Sequence, residues 1–441
     1  MDIYERFKTL NSRLIRGENI PFSEGIKGLS HPSGTNRDKP LAYPAIAIYA
    51  GQGASHSWLW FVDLFDRMGL YDLCFLTDTT LKENGLRGID VLAMSGGDTF
   101  AIAEGLGKSG AREIERFIRS GGLYIGSCAG AYLPLHSSKP FLNLFNYVPA
   151  KITNLTRSLP TALRLKEKFC TSYGCSFIFH PVRETVELKT NGFAPFGKPK
   201  TLLAPLYGGP PMILSDPAAV LARYTGFTDH TLFLVDRKLA EETVLGKAAV
   251  IRKKMGAGHF HLYGPHFEHP RFPTANHLMA AAMYWDLRRG NPPCPRADAL
   301  QGDAFLSKES AKHFIRAVKR EISNARIVAA GLEMQPVQWT IGNKVYDPGK
   351  IRVFLEAIWS RLGVLEKAPR LCIQPGQDGA AMRHTASLTS LVRAAKRDSD
   401  QARSTPDMAR TLFSELSHSS MLFLDIYFRT QAYHFGGIHE A

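Results

Sequence analysis

Through the first two thirds of the chain, apolar positions come in short unbroken runs separated by amphipathic stretches. Ala45-Ile46-Ala47-Ile48-Tyr49, Leu73-Cys74-Phe75-Leu76-Thr77 and Asp90-Val91-Leu92-Ala93-Met94 read as buried strands, and Gly122 to Ile125 as a fourth. Between them, Ser57 to Met68 is amphipathic and predicted helical. Ala111 to Arg119 is also predicted helical, with Ile114, Phe117 and Ile118 on one side. Continuous apolar strands alternating with helices imply a parallel sheet covered on both faces. From about Cys175 to Pro265 the pattern turns strand-rich. Strands are expected over Ser176–His180, Glu184–Leu188, Met212–Leu214, Ala219–Tyr224, Thr231–Val235, Ala248–Ile251 and Gly258–Tyr263. Thr274 to Arg288 returns to helical spacing through Leu278, Ala281, Ala282 and Trp285.

Punctuation divides the rest. Residues 1 to about 40 read as a short helix and then a loop, with turn formers from Ser30 to Pro44. Gly290-Asn291-Pro292-Pro293-Cys294-Pro295 marks a boundary. Beyond it lie four expected helices, Lys308–Ala329, Gly349–Leu362, Ala380–Lys396 and Pro406–Ala432. The expected organisation is an N-terminal extension (1–43), an α/β domain (44–289) and an all-α C-terminal domain (290–441), a helical bundle with no chemistry visible in it.

Three glycine-rich loops fall at the carboxyl ends of expected strands: Gly51-Gln52-Gly53-Ala54-Ser55, Ser95-Gly96-Gly97-Asp98 and Gly126-Ser127-Cys128-Ala129-Gly130. Open α/β sheets collect their chemistry at those ends. The third loop has the form of a nucleophile elbow, a tight strand-to-helix turn that lifts one side chain clear of the sheet. That side chain is Cys128. At a helix N-terminus a thiol is favoured as thiolate, its reactive form. The alternative is a buried cysteine in a glycine-rich turn.

A cysteine nucleophile needs a base and a group to orient it. His266 follows the last expected strand, and Glu268 stands two residues on. The amides of Gly96 and Gly97, with that of Ala129 just after the nucleophile, are candidate donors to an oxyanion. The side chain of Asp98 is expected to cap the next helix. Gly51, Gly53, Gly208 and Gly209 are candidate pocket-lining positions, with plain turns as the alternative. His259, His261, His266 and His269 lie close in sequence, but no carboxylate or cysteine completes a familiar metal site, and neither metal nor cofactor is expected.

Composition adds limits. No apolar run reaches the roughly 20 residues of a membrane span, and the charged N-terminus lacks the apolar core of a signal peptide. Six cysteines without a CxxC pair fit a reduced compartment, so a cytoplasmic location is expected. The net charge of +14 is scattered, with modest concentrations between Lys151 and Lys200 and over Arg393–Arg397. No nucleic-acid-binding motif accompanies it, so nucleic acid is not the expected partner. The expected partner is a small-molecule substrate, with the C-terminal helices as the surface for any partner protein.

Together, SGGD, GSCAGAYL and YGPHFEHP, with IYAGQGAS and YGGPPM, resemble the class I glutamine amidotransferase superfamily. More narrowly, they resemble the domain at the N-terminus of some biotin–protein ligases, over roughly residues 44 to 287. The resemblance implies a flavodoxin-like α/β sandwich with a Cys–His–Glu triad: Cys128 as nucleophile, His266 as base, Glu268 as acid, and Gly96 and Gly97 at the oxyanion site. The implied function is a cysteine-dependent amidase or amidotransferase-like activity on a small carboxamide or acyl substrate. The alternative is a catalytically silent ligand-binding or regulatory module. Two positions depart from the family pattern. Tyr132 replaces the glutamine of GxCxGxQ, and Phe267 replaces the proline of His-Pro-Glu. No Gly-Arg-Gly biotin-ligase motif follows, so biotin transfer is not implied.

Overall fold

The computed structural model describes residues 2–26, 40–164, 174–287, 304–403 and 406–435. Most of the Ser30–Pro44 loop, the Gly290–Pro295 boundary, Arg288, Cys170 and Cys294 lie outside the described residues. The chain divides into two compact units. One is Met1–Leu70 with Leu76–Pro293, and the other is Cys294–Ala441 with the short segment Tyr71–Phe75.

An eleven-stranded sheet carries the larger unit, with three residues of one of its strands, Leu73 to Phe75, falling in the segment Tyr71–Phe75. Its strands are β1 (Ile46–Tyr49), β2 (Leu73–Leu76), β3 (Val91–Met94), β4 (Leu123–Ser127), β5 (Ala150–Ile152), β6 (Val182–Thr190), β7 (Thr201–Leu206), β8 (Met212–Leu214), β9 (Val220–Phe233), β10 (Ala248–Met255) and β11 (Gly258–Tyr263). The main path runs β2-β1-β3-β4-β11-β10-β9-β6-β7, with β5 and β8 to one side. The pairs β1–β3, β3–β4 and β4–β11 are parallel. The first five strands of the path therefore follow the 2-1-3-4-5 order of a flavodoxin-like sheet. From β11 to β7 every pair is antiparallel. Strands β1, β3 and β4 are buried at every position, as expected of strands covered on both faces.

Helix α1 (Ile3–Ile15) packs into this unit: Tyr4 donates to Asn276 Oδ1 at 2.6 Å, and Asn11 Nδ2 to the Met68 carbonyl at 2.8 Å. Helices α2 (Trp58–Arg67) and α3 (Thr99–Arg119) follow β1 and β3. Helix α3 starts twelve residues before its apolar periodicity becomes clear and is interrupted at Gly107 (φ 54°, ψ −159°). Asp98 caps it, accepting from the amides of Phe100 (3.0 Å) and Ala101 (3.3 Å).

Three expectations in the strand-rich part change. Ser176–His180 forms only an isolated bridge, Ile178 with Leu155. Ala219–Tyr224 and Thr231–Val235 belong largely to one long strand, β9, because the turn formers Gly226 and Asp229 are absorbed where its pairing with β6 shifts register. Strand β7, which contains Pro205, was not expected. It ends the sheet path, where a residue without an amide proton is tolerated.

The smaller unit is mainly helical, and its long helices extend past the expected ends. After α4 (Ala129–Tyr132) and α5 (Pro273–Asp286) of the larger unit come α6 (Lys308–Glu333), α7 (Pro348–Leu365), α8 (Gln377–Asp400) and α9 (Pro406–Phe435). Helix α6 packs on α7 and α8, and α9 packs on both of these. Phe314, Ile315, Val318, Ile322, Ala325, Ala329 and Leu332 form the buried stripe of α6. The all-α expectation needs a small correction, since two two-stranded ladders join the helices. They pair Ala304–Phe305 with Cys372–Ile373 and Trp339–Ile341 with Lys344–Tyr346. Such short runs carry too few positions for a period-2 pattern. Among the described residues no helix is long and apolar enough to cross a membrane.

Candidate active site

Strand β4 delivers Cys128 into a turn that glycine alone permits. Cys128 adopts φ 51°, ψ −109°, a conformation that costs a non-glycine residue on the order of 1–3 kcal/mol. A Cβ on Gly126 would stand 2.3 Å from the Gly130 carbonyl oxygen, and one on Gly130 would stand 2.0 Å from that of Met94. Those contacts explain why small residues flank the cysteine. The helix leaving the turn, α4, is a single turn, so its dipole gives a thiolate less support than the sequence suggests.

The partner strand supplies the base. Ser127 and Tyr263 face each other at the ends of β4 and β11, and the Cys128 amide donates to the Tyr263 carbonyl at 3.0 Å. Three residues on, His266 is anchored by its own amide, which donates to the Pro205 carbonyl at 2.9 Å. Its ring lies near enough to Cys128 for the sulfur to help raise its pKa. Its Nδ1 lies 2.7 Å from Glu268 Oε1, and Glu268 is fully buried. Burial works against a charged imidazole here. The Glu268 carboxylate, the hydrogen bonds to Cys128 and Glu268 and the charge of the thiolate outweigh it, and hold His266 up at about 9. The imidazole of His266 is therefore favoured as imidazolium at neutral pH.

Glu268 is itself held on both oxygens, by Ser95 Oγ on Oε1 (3.0 Å) and by Ser127 Oγ on Oε2 (2.8 Å). Gly96 lies against the imidazole: a Cβ there would stand 2.9 Å from His266 Cε1 and 2.8 Å from Ser57 Oγ. Trp60 covers the other approach, edge-on to His266 at 4.9 Å and to His269 at 4.5 Å. Burial and the neighbouring charge of His266 hold His269 down at about 4, so it is neutral. Tyr207 completes the surround, with its carbonyl 4.0 Å from Cys128 Sγ and its hydroxyl donating to Glu184 at 3.2 Å.

The amides of Gly97 and Ala129 donate to no acceptor among the described residues; Gly97 lies in the loop after β3, and Ala129 opens α4 directly after Cys128. The remaining expected glycines lie against other groups. Gly51 backs onto the Asp78 amide and the Tyr49 ring, Gly53 onto helix α3 at Ile102, Gly208 onto His180, and Gly209 onto the Gly264 carbonyl. These contacts fix the loops that carry the site, and none of them is with Cys128. Tyr132, in the departing position, accepts a hydrogen bond from Asn154 Nδ2 at 2.6 Å, and burial raises its hydroxyl well above the usual tyrosine value.

Sequence reasoning missed Ser57, Ser95, Ser127, Trp60 and Asn154. Ser95 and Ser127 sit beside residues that it did single out, and that adjacency was the available signal. It also missed the carboxylate that joins His259 and His261. Asp286 lies 2.6 Å from His261 Nε2 and takes two bonds from Arg252, each at 2.6 Å. That cluster is an ion-pair network between β10, β11 and α5. Among the described residues no group of three or more His, Cys, Asp or Glu side chains is placed to hold a metal ion.

One family model matches part of the chain. The family described as biotin-protein ligase, N terminal, matches residues 45–139, which include Gly96, Gly97 and Cys128 but neither His266 nor Glu268. No curated protein matches the chain. Among solved structures, a glutamine amidotransferase is 14% identical, with 54% of this chain and 99% of that chain covered and a TM-score of 0.34. A ThuA-like protein from Bacteroides uniformis is 14% identical, with 59% and 97% covered and a TM-score of 0.35. A Thermoplasma acidophilum protein described as part of a GMP synthase is 12% identical, with 55% and 94% covered and a TM-score of 0.34. At these scores they stand as likenesses only.

Proposed function

We propose that this protein is a cysteine-dependent amidase or amidotransferase-like enzyme acting on a small carboxamide or related acyl compound. One observation carries the reading: a strained elbow cysteine stands beside a buried histidine whose Nδ1 is bound to a buried carboxylate. The Cys128 thiolate attacks the carbonyl carbon, and the amides of Gly97 and Ala129 receive the oxyanion. His266 gives its proton to the departing nitrogen, and a thioester remains on Cys128. Water or an amine then attacks the thioester while His266 takes its proton, which restores the thiolate. The α/β domain over 44–289 carries this chemistry, in a cytoplasmic protein, and the helices beyond 290 offer a surface for a partner protein.

The test is ammonia release from a panel of carboxamides by the wild type and by Cys128→Ala, alongside labelling with a thiol-directed probe. Both should disappear in the variant, and unchanged turnover there would eliminate the proposal. A second reading, a silent ligand-binding module, is favoured by the 4% exposure of Cys128 and by Tyr132 one turn above it. It requires a ligand that raises the melting temperature and is recovered intact.

A further inference from the structure

A carboxylate has about four lone-pair sites to satisfy, and a fully buried one must find its donors within the protein. Glu268 finds three, each from a different part of the fold. His266 comes from the loop after β11, Ser95 from the end of β3 and Ser127 from the end of β4. The two serines take different oxygens, so the carboxylate cannot rotate about its final bond without losing one of them.

Ser95 does not stand alone. Its Oγ lies 2.9 Å from Ser57 Oγ, and Ser57 Oγ lies 3.0 Å from Ser55 Oγ. A hydroxyl has one proton to give. The carboxylate can only accept, so Ser95 gives its proton to Glu268, and Ser57 Oγ stands within hydrogen-bond distance of the same Ser95 oxygen. The oxygens of Ser55, Ser57 and Ser95 thus form a file leading from the loop after β1 to the acid. Ser55 is also tied to the Gly96 carbonyl through its hydroxyl and its amide, each at 3.0 Å. Gly96 is the residue whose missing side chain leaves room for both Ser57 and the imidazole.

We infer that Ser95, backed by Ser57, and Ser127 are positioning residues. They lock Glu268 in the one orientation that holds His266 against Cys128. Each lies next to a residue whose place it helps to fix: Ser95 precedes Gly96, and Ser127 precedes Cys128. Fixing the acid from both sides ties the loops after β1, β3, β4 and β11 into one unit around the imidazole. The inference rests on the triad described above but needs no knowledge of the substrate.

The test is the pH dependence of Cys128 carbamidomethylation by iodoacetamide, in the full chain, for wild type, Ser95→Ala, Ser127→Ala and Ser95→Thr. The other titratable groups facing the cluster are His269, already neutral, and the hydroxyls of Tyr132, Tyr207, Tyr224 and Tyr263, which burial keeps protonated. Each alanine variant removes one oxygen and adds no volume. Freed on one side, the carboxylate supports the imidazolium less well, and the acid limb of the profile should move up by about one pH unit. Ser95→Thr keeps the hydroxyl and should follow the wild type. Superimposable wild-type and alanine profiles, or a threonine variant that shifts as far as the alanine one, would overturn the inference. If one alanine variant does not fold, the other decides. Absence of turnover in the wild type would sink the proposed activity and leave this measurement intact.

Discussion

The amide of Cys128 donates to the carbonyl of Tyr263, so nucleophile and base hang from neighbouring parallel strands that are fixed in register. The distance between thiol and imidazole is therefore set by the sheet and not by a mobile loop.

The raised pKa of His266 has a chemical consequence for the thiol beside it. An ordinary thiol has a pKa near 8.5, whereas Cys128 shares its site with an imidazolium. In the wild type, carbamidomethylation of Cys128 should persist well below that range. In His266→Ala the acid limb should rise towards about 8.5. Identical limbs in the two proteins would show that the pair does not form.

His266 also links stability to pH. Its folded value, about 9, lies above the ordinary 6.5. The stabilisation from its charge should be complete below pH 6.5 and fade as pH rises through about 9. Melting temperatures of wild type and His266→Gln, compared across that window, should converge towards the alkaline end. A constant difference would contradict the assignment.

Gly96→Ala places a methyl group against the imidazole and Ser57. The expected result is a folded protein with its Cys128 reactivity largely lost, because the ring must move before the fold does. Overpacking of this kind costs about 1–3 kcal/mol. Denaturant unfolding measures that cost, and alkylation measures the reactivity.

Gly130→Ala is a harsher change. Its Cβ would meet the Met94 carbonyl, and backbone cannot rotate aside. Destabilisation at the upper end of that range, about 3 kcal/mol, is expected. A melting temperature within a degree or so of the wild type would refute the close approach.

Asp286 is held well below the usual carboxylate range: Arg252 and His261 overcome a burial effect that acts the other way. Asp286→Ala leaves those two groups facing each other without their carboxylate. The expected loss is about 3 kcal/mol, the low end for a broken buried pair, since Arg252 is partly exposed. In the wild type this contribution is present above the ordinary aspartate value, near 3.8, and is lost as pH falls through the lower folded one. Urea unfolding at pH 7 and at pH 3 tests both statements.

The parallel half of the fold was legible because β1 and β3 are apolar at every position and run into glycine-rich loops. Cys128, His266 and Glu268 were legible because each sits in a short segment with its own chemical pattern. The serines were not, because a serine in a glycine-rich loop looks like turn chemistry until coordinates place a carboxylate beside it. Strand β7 was hidden by Pro205, and β9 was cut in two by turn formers that a register shift absorbs. Asp286 reads as a helix-end polar residue, and only the packing of α5 on the sheet brings it to His261 and Arg252.

The separation of the two halves of the site along the chain sets an order of events in synthesis. Ser127 and Glu268 are 141 residues apart, and ribosomes add about 5–20 residues per second. The cysteine therefore waits roughly 7–28 s for the strand that brings its histidine. Until then the newborn polypeptide carries an unarmed thiol, and reactivity switches on only when the sheet closes around it.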